Sequence, residues 1–112
     1  MCDLCVARCI KVCAVLPVKS LGSSSLADQM FRSSTSIAAN YAEACEAESA
    51  KDFVHKLKVA MKELSETRIW LRLIGEADYV EKSKLSDLIG ESRELSRILS
   101  ASVITAKKKV GG

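Results

Sequence analysis

A chain of 112 residues has the size of one domain, and 48% hydrophobic residues give it enough apolar mass for a packed core. One proline and five glycines supply too few turns for an all-β chain, and 4% aromatics exclude a stacking platform for single-stranded nucleic acid. The net charge of +3 is mild, and the longest uncharged runs, Val12 to Val18 and Ser33 to Ala42, fall short of the roughly 18–20 apolar residues of a membrane span. Asp3 and Lys11 fit poorly in a signal peptide. The reading is a soluble, cytoplasmic, all-α chain with no membrane partner, one domain over residues 1–112.

Four helical segments follow in order, roughly 1–16, 26–47, 50–75 and 81–109, and they predict an antiparallel up-down four-helix bundle. Pro17 stops the first, because the residue before a proline is pushed out of the α region. Gly22 and Ser23 to Ser25 read as a loop, and Ser25 with Asp28 as a capping box opening helix two. Ser49 and Asp52 repeat that signature for helix three, which Gly75 ends. Helix four closes on Lys107 to Lys109, whose charge suits a C-terminus, and Gly111 and Gly112 read as a frayed end. Helix three places Phe53, Leu57, Ala60, Leu64, Thr67, Leu71 and Ile74 on a 3.5-residue seam. Helix four does the same with Leu85, Leu88, Ser92, Leu95, Leu99, Ser102 and Ala106. On helix two, Leu26, Met30, Ile37 and Tyr41 form the seam.

Charge is unevenly spread. Asp28, Glu43, Glu46 and Glu48 against Arg32 make residues 26–48 acidic, whereas residues 51–72 and 81–109 are each net basic. A polyanion would therefore meet the later helices. Lys51, His55, Lys58 and Lys62 fall within an arc of about 60° opposite the apolar seam of helix three. That pattern is either an ordinary solvated face or a stripe for phosphates, the second supported by Arg93 and Arg97 on helix four and by the lysine tail.

The N-terminal Cys2, Cys5, Cys9 and Cys13 include a CxxC, which invites a zinc or redox reading. In a helix, Cys2 and Cys13 lie about 16 Å apart along the axis, too far for one zinc with bonds of about 2.3 Å. The four thiols share a stripe with Val12 and Leu16, so core packing is favoured. His55 is the only histidine. Asp52–His55 has metal-pair spacing, yet a di-metal bundle needs a second such pair, for which Glu43, Glu63 and Glu66 lack a histidine. No phosphate loop or nucleophilic triad is present. Neither catalytic residues, metal nor cofactor is expected.

Helix two carries a narrow polar face, Gln29, Arg32, Ser36, Asn40 and Glu43, beside its seam. Polar residues that close to a core should be paired. The expectation is that Asn40 and Glu43 are buried, with Arg32 or Arg68 as charge partners. The stretch Gln29 to Ala44, with Arg32, Ser36-Ile37, Asn40 and Glu43 in place, resembles the signature of the bacterial four-helix-bundle family known from the 23S rRNA intervening sequence. The block Asp52-Phe53 through Glu63, Glu66 and Trp70-Leu71 resembles that family's third helix, and the similarity covers roughly residues 15–108. Ala44 stands where the family usually has Gly, Ala38 where Pro is frequent, and the Cys-rich first helix departs from the pattern.

The resemblance implies a non-enzymatic bundle associated with rRNA or other nucleic acid. It also implies a homo-oligomer, since structurally known members form ring-like homopentamers and a related bundle binds nucleic acid and a reverse transcriptase. From the residues, Leu4, Ala7 and Val15 on helix one and Ile69 and Leu73 on helix three fall on outward arcs, which suggests subunit contacts. A protein-interaction scaffold without nucleic-acid binding is the second reading, and a metal or small-molecule carrier the third.

Overall fold

The computed structural model describes residues 2–16 and 21–111. It is all-α, with α1 (Cys2–Val15), α2 (Leu21–Cys45), α3 (Ala50–Glu76) and α4 (Lys82–Gly111). Cross-helix contacts fix the directions. Ser33 meets Thr67 and Glu43 meets Lys56, so α2 and α3 run antiparallel. Arg68 meets Ser96 near mid-helix, while Gly75 lies against Leu85 at the connecting loop, so α3 and α4 are antiparallel too. α1 packs chiefly on α2, with Arg8 reaching Glu91 of α4.

Helix starts and stops show where local chemistry decides. Ser49 caps α3 as its sequence signature predicts, its Oγ accepting from Asp52 N at 3.1 Å. The Ser25–Asp28 signature does not start α2, which begins four residues earlier and runs through Gly22. Tertiary contact overrides the loop composition: a Cβ at Gly22 would lie 3.2 Å from the Tyr79 hydroxyl, so this extra turn closes against the α3–α4 connection. Gly75 likewise does not end α3. It is buried inside the helix, where a Cβ would stand 3.3 Å from Leu85 and Lys82. The stop is a Schellman arrangement one turn later, with Tyr79 N–H donating to Ile74 and Asp78 N–H to Gly75. Asp78 takes the left-handed position at φ 61°, which its short polar side chain tolerates. α4 extends through Gly111, beyond the expected end at Lys109. α1 ends at Val15; Pro17, Met1 and Gly112 lie outside the described residues.

One core joins the four helices. Leu57, Ala60, Leu64, Thr67, Leu71 and Ile74 of α3 are buried, and Leu85, Leu88, Ser92, Leu95, Leu99 and Ala106 of α4 face them. Two seam positions shift by one residue. Val54 is buried where Phe53 is half-buried, and Val103 where Ser102 is half-buried, because a straight helix drifts from a strict 3.5 repeat towards its ends. On α2, Met30 and Ile37 are fully buried, Leu26 is half-buried and Tyr41 is exposed. Ser33 and Ser34 are completely buried, an outcome the polar sequence hides. Ser33 Oγ accepts from Thr67 Oγ1 at 2.8 Å and donates to the Met30 carbonyl at 3.4 Å, so its hydroxyl is satisfied at the helix contact.

Cys2, Cys5 and Cys9 are buried with Val6 and Leu16, while Cys13 is half-buried and donates to the Ala27 carbonyl at 3.5 Å. The thiol stripe is therefore core. Among the described residues no three His, Cys, Asp or Glu side chains gather as a metal site, and no described helix is long and apolar enough to cross a membrane.

Two outcomes are expected. Ser33→Leu overfills the α2–α3 contact and costs about 1–3 kcal/mol, whereas Ser33→Ala leaves Thr67 its bond to the Glu63 carbonyl and costs less than about 1 kcal/mol; urea unfolding followed by circular dichroism measures both. Burial, then Asp3, pushes the Cys2 thiol from 9.0 to about 11. Burial raises Cys13, whereas the Cys5–Cys9 contact raises Cys9 and lowers Cys5, so that pair partly offsets itself and Cys2 is the clean reporter. Unfolded thiols lose protons above about 9 while Cys2 and Cys13 keep theirs, so unfolding gains as pH rises towards 11. In reducing buffer the Tm should fall across that window, and fall less in Cys2→Ala; equal slopes for both proteins would contradict the assignment.

Candidate nucleic-acid interface

The polar face of α2 is not the buried network expected. Glu43 is exposed and pairs with Lys56 at 3.0 Å, not with an arginine. Asn40 is half-buried and donates within its own helix, to the Ser36 carbonyl at 2.9 Å and Ser36 Oγ at 3.1 Å. The physical reason is their azimuth: both lie on the rim of the α2–α3 contact, whose centre is filled by the small Ser33 and by Ile37. Arg32, half exposed, accepts no role towards Asn40. It donates to Gln29 Oε1, to Glu63 at 3.2 Å and to Glu66, bridging α2 to α3. Glu66 therefore holds the Arg32 guanidinium above its usual range. Trp70 is half-buried against the core, and its Nε1 has no partner among the described residues.

These ion pairs draw the acids of α3 towards α2, and the opposite flank of α3 is left basic. Lys51, His55, Lys58 and Lys62 are all exposed there, as the helical arc predicts. The antiparallel register brings the lysine tail of α4 beside them: Lys107 adjoins Lys58 and lowers its ammonium below the usual range. Further along the same α3–α4 face, Arg93 is exposed and borders a hollow with Arg68 and Arg72. Arg97 departs from this strip, since it pairs with Glu94 one turn away at 3.2 Å. Among the described residues, every carboxylate that makes an ion pair is engaged away from the strip: Glu63 and Glu66 with Arg32 of α2, Glu43 of α2 with Lys56, Glu91 with Arg8 of α1, Glu94 with Arg97, and Glu76 with Lys82 at the loop end.

Sequence reasoning missed Arg68 and Arg72 as members of this face. Their four-residue spacing on the flank of the α3 seam was the available signal. The outward apolar residues stand where expected, with Leu4 and Val15 about two-thirds exposed and Ile69 and Leu73 exposed as well. Phe31 on α2 adds another, half exposed.

Residues 4–101 match the family model of the 23S rRNA-intervening sequence protein. The chain is also similar to a crystal structure of a protein with unknown function from the S23 ribosomal protein family, from Bacteroides thetaiotaomicron VPI-5482. The two are 30% identical over 91% of this chain and 94% of that one, with a TM-score of 0.84. No curated protein matches the chain.

Proposed function

The chain belongs to the 23S rRNA-intervening sequence protein family, and we propose that it is a non-enzymatic, rRNA-associated bundle that holds nucleic-acid phosphates on the basic α3–α4 face. The observation that carries this reading is the separation of charge: the acids that form ion pairs point to other partners, while Lys51, Lys58, Lys62 and Lys107 share one exposed strip, with Arg93 further along the same face. Lys51 and Lys62 stand about 16 Å apart along the helix, a span of several phosphates on one strand. Lysine presents point charges without a base-reading geometry, so binding is largely independent of sequence. Self-association supports the same role, because a ring of subunits repeats the strip and adds avidity. Leu4, Val15 and Phe31, all exposed, are the surfaces that favour it.

The test is titration of a structured RNA into the wild type and a Lys51/Lys58/Lys62→Glu variant at several salt concentrations. Wild-type affinity should fall linearly in log–log form, and each lost lysine should lower that slope by roughly 0.7–0.9. Equal affinities for two folded proteins would refute the interface and leave the scaffold reading. Light scattering at micromolar concentration should give a multiple of 12.2 kDa, fivefold for a ring of five; a mass of one chain would refute the assembly.

A further inference from the structure

We propose that Arg68, Arg72 and Arg93 form a pocket for a terminal phosphate of a nucleic-acid strand, a phosphomonoester dianion seated between α3 and α4. The pocket measures about 380 Å³ and is walled by these three arginines with Ser65, Ile69 and Ile89. It lies further along the α3–α4 face than the lysine strip, about 9 Å from Lys62 to Arg68 along the helix axis.

Three features argue for an oxyanion. First, the positive charge is unbalanced, since no ion pair reaches any of the three guanidiniums among the described residues. Second, Arg68 is fixed in place by neutral acceptors alone. Its Nη1 donates to the Ser92 carbonyl at 3.3 Å and to Ser96 Oγ at 2.7 Å, and its Nη2 to Ser65 Oγ at 3.3 Å. Those bonds leave the Nε–H and one Nη2 hydrogen for a ligand. Third, burial, then Arg93 and Arg72, holds the Arg68 guanidinium below its usual range, an electrostatic load that an oxyanion relieves.

The choice of phosphomonoester follows from counting charge and oxygens. A monoester carries about −1.5 to −2 near pH 7 and offers three acceptor oxygens, one for each planar fork. A backbone diester offers a single charge and would leave most of the field unanswered. Beside the pocket, sharing Ile69, Arg72 and Ile89, runs a second hollow of about 480 Å³ whose walls include Leu73 and Leu85. A phosphate held by the arginines would direct its attached nucleoside over these apolar walls, which accept the face of any base. The nucleic-acid identity of the ligand rests on the function proposed above; the oxyanion pocket does not.

Two measurements on the full chain separate those claims. In ¹H–¹⁵N spectra, inorganic phosphate should shift the Nε–H resonances of Arg68, Arg72 and Arg93, and chloride at equal ionic strength should not. In fluorescence anisotropy, one RNA oligonucleotide with a 5′-phosphate should bind at least about tenfold more tightly than its 5′-hydroxyl form, the equivalent of one charge-assisted bond. Arg72→Gln/Arg93→Gln, at two exposed positions, should abolish that preference, whereas Lys51→Gln/Lys62→Gln should weaken both strands and keep it. Arginine resonances indifferent to phosphate would overturn the pocket even if RNA binds. Shifted resonances with no RNA binding would sustain the pocket and overturn the strand as its ligand, as would adenosine monophosphate binding as tightly as the phosphorylated strand. A changed solution mass for Arg72→Gln/Arg93→Gln with no phosphate preference in the wild type would make the pocket a subunit contact and refute the proposal.

Discussion

The close approach of α2 and α3 at Ser33 and Thr67 sets the rest of the molecule. Two hydroxyl-bearing residues with no exposed surface, bonded to each other at 2.8 Å, leave no room for the chain to slide by a turn. With that register fixed, Arg32 must stand opposite Glu63 and Glu66, and Glu43 opposite Lys56. None of these exposed pairs adds much stability. Their consequence is directional, because each turns an acid of α3 or α2 into the same seam.

The other flank of α3 is defined by what that seam removes. Lys58 and Arg68 face α4 across a contact whose own contributions are serines, an isoleucine and more bases. Like charges gather there because the helices are held together by Leu57, Leu64, Leu71, Leu88, Leu95 and Leu99, and the α3–α4 ion pair among the described residues, Glu76 with Lys82, lies at the loop end. An apolar core of that size tolerates a repulsive rim, and such a rim is suited to a ligand of opposite sign.

The four helices, the leucine seams and the basic arc of α3 were legible in the residues, because each rests on period and local capping. Ser49 shows local chemistry winning outright. Gly22 and Gly75 show it losing: both look like breaks, yet both are helical, and each is where a neighbouring side chain makes a close approach that favours the smallest residue. Ser33 and Ser34 were invisible as core for the same reason, since close packing of helices selects small residues whatever their polarity. The position of Asn40 and Glu43 near an apolar seam suggested burial, yet whether a flank is centre or rim depends on the crossing of two helices. Arg68 and Arg93 are 25 positions apart in the chain, and only the antiparallel fold makes them neighbours.

The sorting of charge also decides how the protein moves towards a partner. A chain of net charge +3 with mixed signs would feel a polyanion weakly and from every side. Here Glu43, Glu63 and Glu66 are neutralised within the α2–α3 seam while Lys51, Lys58 and Lys62 stand exposed on α3, so the free positive charge is concentrated on one flank of a slender body with axes of 52, 22 and 18 Å. In the field of a phosphate chain such a body experiences a torque before it experiences much attraction. It arrives already turned, and a larger share of its collisions end with the right side forward.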